Sequence, residues 1–159
     1  MDAADVEAAR LALDMAPTAR VTNDRMRQAR VLTQLSRTML KANNPDRAAE
    51  IADDIAHPQL RTRMFSELIR AAMSRNDHTR VATLARQAEA AAASIPDPGQ
   101  QAESLADLAL AAEDAAARRF VALAFSTGRW TASLRALARV QPDTLLLLAN
   151  EQMSRTAPL

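Results

Sequence analysis

Apolar residues recur along this chain at helical spacing, and one long stretch of the pattern is written twice. Val31, Leu32, Leu35 and Met39 share one stripe of a helix, with polar residues between them. Moved forward by 33 positions, residues 28–52 land on residues 61–85 without a gap. Val31 and Leu32 fall on Met64 and Phe65, Leu35 on Leu68, Met39 and Leu40 on Ala72 and Met73, and Ile51 and Ala52 on Leu84 and Ala85. Polar positions coincide as well: Arg30 with Arg63, Arg37 with Arg70, Asn43 with Asn76, and Arg47 with Arg80. A period of this length, holding a pair of helices, is the pattern of an α-solenoid, in which each unit buries its apolar face against the next.

Caps and breakers divide the pattern into elements. Residues 5–16 read as a helix closed by Pro17, and the run from Ala8 to Ala12 repeats the pattern from Ala48 to Ala52. This is the second helix of a pair without its first, so the chain is expected to open on a capping helix or to be a piece of a longer array. The next helix starts at Thr22 or Asn23 and ends at Asn43-Asn44, because asparagine tolerates a left-handed backbone. Asn44-Pro45 then starts a helix reaching about residue 56, stopped by His57-Pro58. The second copy predicts helices over 59–75 and 78–94, broken at Asn76-Asp77. Residues 95–99, with two prolines and a glycine, read as the clearest loop. The third copy predicts helices over 100–112 and 115–127 with Gly128 as cap, and a shorter fourth predicts 130–140 and 143–154.

The expected fold is therefore all-α: a right-handed α-solenoid of about four antiparallel hairpins, near 22–56, 59–94, 100–127 and 130–154. A single helical-repeat domain spans 1–159. One alanine at a fixed place in each second helix (Ala12, Ala52, Ala85, Ala124, Ala149) gives spacings of 40, 33, 39 and 25, so only the middle is regular. A small residue there lets helices approach closely.

Composition agrees and removes several classes of function. Apolar residues make up 48% of the chain, mostly alanine and leucine, which are strong helix formers. Net charge is +1, which gives no bulk attraction for nucleic acid or membrane. Its distribution is uneven. Residues 1–16 carry one basic and four acidic groups (−3), 17–80 twelve and seven (+5), and 81–159 seven and eight (−1). No cysteine is present, which removes disulfides and thiolate metal sites. Residues 1–10 are acidic without an apolar core, so no secretory signal is expected and the expected setting is cytoplasmic. Leu145–Leu148, the longest strongly apolar run, is far short of a membrane span.

Little catalytic chemistry is available. Two glycines cannot build a phosphate-cradling loop, and tyrosine and cysteine are missing. Asp53, Asp54 and His57 fall near one helical turn, but a solvated carboxylate pair beside a helix-ending histidine is the commoner meaning of such a cluster. The expectation is a non-enzyme with no cofactor and no metal.

The informative constellation is arginine. Arg30, Gln34, Arg37 and Lys41 are spaced four, three and four, so they share one helix face away from Leu35 and Met39. The next copy shows Arg63, Glu67 and Arg70 at that face. Stacked copies would set Arg30 beside Arg63 and Arg37 beside Arg70, a guanidinium ladder suited to carboxylates. The third copy breaks it with Glu103, Asp107 and Leu110. The ladder is either an ordinary solvated face of an arginine-biased chain or a groove for an acidic peptide or protein. Near-neutral charge and the lack of interleaved aromatics argue against nucleic acid. A homo-oligomer is the structural alternative, since an unpaired first helix and a leucine-rich last one would leave apolar faces uncovered.

These residues also resemble known repeats. The two-helix period, with its small and large apolar positions, resembles tetratricopeptide-like and HEAT-like repeats, without the early Trp and mid-repeat Gly-x-x-Tyr of the strict tetratricopeptide signature. Residues 80–92, then Ile95-Pro96-Asp97-Pro98, then 101–109 look like the degenerate helical repeats of large bacterial signalling ATPases of the NACHT type, as do 128–134 and 142–146. The resemblance covers roughly 28–151 and implies a bacterial binding or sensor scaffold with no catalytic residues to carry over. The nucleotide-binding domain of such proteins has no counterpart in this sequence.

Overall fold

The computed structural model describes residues 25–127, 130–147 and 150, of which the side chains of residues 114 and 130–132 are left aside. Among the described residues all regular structure is helical. The helices are α1 (Arg25–Lys41), α2 (Pro45–Asp53), α3 (Pro58–Met73), α4 (His78–Ala93), α5 (Pro98–Ala111), α6 (Asp114–Ser126) and α7 (Trp130–Val140), with residues 142–147 also helical. The half-repeat expected at 5–16, the helix start at Thr22 or Asn23, the Gly128 cap and the end of the fourth hairpin lie outside the described residues.

The duplicated sequence produces a duplicated turn. Asn43 and Asn76 are the two described non-glycine residues with positive φ, at 59° and 57°. In the first turn the Asn44 N–H donates to Met39 O at 2.9 Å and the Asn43 N–H to Leu40 O at 3.1 Å. In the second, Asp77 donates to Ala72 O and Asn76 to Met73 O, each at 3.0 Å. This pair of bonds around a left-handed residue is the Schellman closure, which satisfies the last helical carbonyls. The next side chain then opens the following helix: Asn44 accepts from the Arg47 N–H at 3.3 Å, and Asp77 from the Arg80 N–H at 3.0 Å.

Two boundaries differ from expectation. Helix α2 ends at Asp53 rather than near 56, because Pro58 disfavours helix before it and His57 is extended (φ −85°, ψ 112°). The freed Ile55 turns inward and is fully buried. Helix α5 starts at Pro98, inside the expected loop 95–99, because Asp97 caps it by accepting from the Gln100 N–H at 2.8 Å. Ile95 is buried as Ile55 is, and each stands three residues before the proline that opens a helix.

Each described pair is packed together: α1 on α2, α3 on α4, α5 on α6. Between pairs, α1 meets α3, α3 meets α5 and α5 meets α7, while α4 also meets α6. One apolar cluster runs through all of them. Most of its large, fully buried side chains, Leu32, Met39, Ile51, Met64, Phe65, Leu68 and Ile69, lie on α1 to α3, with Phe120 of α6 and Leu108 of α5 the main ones beyond. Burying a side chain of this size contributes about 1.5–3 kcal/mol. From α4 onward alanines dominate the buried face, among them Ala88, Ala92, Ala102 and Ala109. The buried Ser36 hydroxyl donates to Ala48 O at 2.7 Å, tying α1 to α2 inside the core.

Candidate partner-binding surface

The α1 stripe is solvent-facing, as its spacing predicts: Arg30, Gln34 and Lys41 are exposed and Arg37 is half-buried. On α3, Arg63 and Arg70 are exposed and Glu67 is half-buried. At the centre of the ladder Arg37 is engaged within the chain: its Nε donates to Glu67 Oε2 at 2.8 Å and its Nη2 to Oε1 at 2.5 Å. Glu67 lies 30 residues on, about one helical turn before the repeat counterpart Arg70. Long helical side chains lean toward the helix N-terminus, which suits Arg37 to the carboxylate of the earlier turn. This two-pronged bond raises the Arg37 pKa, partly opposed by burial. Glu67, expected as part of a partner site, is thus satisfied within the chain.

Arg30, Arg63, Arg70 and Lys41 take part in no ion pair among the described residues. Arg63 stands at a cleft of about 170 Å³ between α3 and α5, lined also by Ser66, Glu103 and Asp107. The Gln59 amide donates to Gln100 Oε1 across that same seam at 2.6 Å. The first helices therefore present guanidinium groups on α1 and α3 and carboxylates on α5.

A larger groove, about 420 Å³, lies between α2 and α4. Leu84 and Ala49 line it with Asp46, Glu50, Asp53 and Asp77, against one guanidinium, Arg80. Arg80 is committed: its Nη1 donates to Asp46 at 2.8 Å and its Nε to Asp77 at 3.1 Å, and these bonds raise its pKa. Asp77 is pushed below its ordinary value first by the Arg80 backbone N–H. Asp53 moves the other way, because burial disfavours its charge more than Arg61 and the amide of Gln87, at 2.7 Å, support it.

No group of three or more metal-ligating side chains assembles among the described residues; Asp53 turns to Gln87. His57 caps α3 without a side-chain bond, and its Nδ1 is buried without a partner. Sequence reasoning missed the groove. Its signal was the pair Asp46 and Arg80, 34 residues apart and so one repeat plus one position. No described helix is long and apolar enough to cross a membrane. No known protein family, curated protein or solved structure matches the chain.

Proposed function

We propose that this chain is a non-catalytic interaction scaffold, a right-handed α-solenoid of antiparallel hairpins that takes an acidic peptide or protein surface along α1 and α3. Serial packing of α1, α3, α5 and α7, with each second helix behind its first, supports the solenoid. The observation that carries the binding reading is the set of exposed cations on neighbouring helices, Arg30, Lys41, Arg63 and Arg70, left without ion pairs among the described residues. Arg37 is the internal brace of that surface, held by Glu67, and Gln34 adds a neutral donor beside it. Guanidinium forks suit carboxylates, and exposed ones need no bond broken before they bind.

The test is fluorescence anisotropy of a labelled poly-glutamate peptide at about 0.15 M salt. Wild type should bind, and a variant with Glu at Arg30, Arg63 and Arg70 should weaken binding by at least about tenfold while keeping its helical circular dichroism. Equal binding by both, or none by wild type, would overturn the reading.

A further inference from the structure

Four charged patches among the described residues form a self-complementary set. From α1 to α5 the sign along the first helices runs from basic to acidic: Arg30, Lys41, Arg63 and Arg70 on α1 and α3, then Glu103 and Asp107 on α5, all exposed, before α7 adds the exposed Arg135 and Arg139. Along the second helices it runs the opposite way. The groove between α2 and α4 carries four carboxylates and the internally paired Arg80. The next groove, between α4 and α6, is lined by Arg86 and Arg119 with one acid, Glu89, which Arg119 already holds at 2.8 Å. Slide one copy over another in the same direction, first helices on second helices, and basic meets acidic at one end and acidic meets basic at the other.

We propose that the acidic partner of the α1–α3 surface is a second copy of this chain, docking through its α2–α4 groove. The inference rests on the function proposed above and names its partner. Such a contact joins two different surfaces, so it is heterologous: each copy keeps one free surface of each kind, and copies add head to tail. The groove has the shape for this role. Leu84 and Ala49 offer an apolar floor; at its rim Glu50 holds only its neighbour Arg47, at 2.6 Å, and Asp53 only the neutral amide of Gln87, so the groove keeps a net negative charge. Reversed orientation would put like charges together at both ends, which sets the direction of stacking.

The experiment is sedimentation equilibrium on the whole chain and on two neutralised variants. One carries Arg30→Ala, Arg63→Ala and Arg70→Ala. The other carries Glu50→Gln and Asp53→Asn, which leaves Asp46 and Asp77 to hold Arg80 and releases Arg47 as an added positive charge at the groove. Wild-type average mass should rise with concentration at low salt and return to the monomer near 1 M, where screening is almost complete at about 3 Å. Each variant alone should stay monomeric. Their mixture should give a capped one-to-one dimer, because one supplies an intact basic surface and the other an intact groove. A monomeric wild type, or a mixture with no dimer, would overturn the stacking. If that monomer still binds poly-glutamate through its arginines, stacking fails and the acidic-partner reading stands; if it binds nothing, both fail.

Discussion

The first two helical pairs and the third pass from one packed helix to the next by different means. In α1–α2 and α3–α4 the turn depends on one left-handed asparagine, with matching hydrogen bonds and a side-chain cap on the helix that follows. In α5–α6 no such residue is present: Ala112 is extended (φ −98°, ψ 175°) and Glu113 makes no side-chain cap bond. The packing differs alongside. Phe65 of α3 stands at the place that Leu105 holds on α5, and alanines line much of the rest of α5. Residues stay alike between copies where the backbone demands one conformation. Where small side chains suffice, the copy drifts and only the helix remains.

Four substitution sets test that contrast, the largest effect first. Phe65→Ala should cost about 3–5 kcal/mol in urea unfolding, and Leu105→Ala less, because the alanine-rich surroundings leave a smaller cavity behind. Equal losses would show that the two cores are packed alike. Asn43→Ala and Asn76→Ala should each cost about 1 kcal/mol, whereas glycine at either position should be close to neutral. Ala112→Gly should instead lose about 0.5–1 kcal/mol, since nothing there calls for positive φ. Glu67→Gln removes the partner of Arg37 and should cost on the order of 1 kcal/mol, while Asp107→Asn at the equivalent place on α5 should stay within about 0.5.

The smallest effect is in pH. Asp77 is held below its ordinary value of 3.8, so its contribution is present above that value and fades as pH falls through the lower folded one. Asp53 is held above 3.8, so its charge opposes folding at neutral pH and stability recovers as pH falls through its raised value. Urea midpoints followed through the carboxylate range should therefore move in opposite senses for Asp77→Asn and Asp53→Asn. Parallel curves would mean that the two acids share one environment.

Much of the fold was legible because its signals are local. The asparagine turns, the proline starts and the stripe of Leu32, Leu35 and Met39 each predict a feature within a few residues, and the helices follow them closely. The end of α2 and the start of α5 were misplaced because Ile55 and Asp97 act through burial and capping that a composition of loop formers conceals. At the candidate surface the exposed arginines were legible from spacing. The Arg37–Glu67 bond was not, since it depends on where a long side chain reaches from one helix to another. The groove stayed hidden for the same reason, its walls being Asp46 and Asp53 on one element and Arg80 and Gln87 on another.

The unequal second helices have a mechanical consequence. Helix α2 has 9 residues and α4 has 16, a difference of about two turns, so α4 runs on past the end of α2. Along one edge the first pair is fastened to the second by the backbone packing of α1 on α3 and the Arg37–Glu67 clasp. Along the other edge α2 also packs on α3, but α2 and α4 are joined by exposed links, Asp46 to Arg80 and Asp53 to Gln87, across a groove. Both helices of the first pair therefore lean on α3, and what is left open is the gap between α2 and α4, crossed by polar links alone. Salt loosens the Asp46–Arg80 link across that gap more than the Arg37–Glu67 clasp, whose carboxylate is the less exposed of the two.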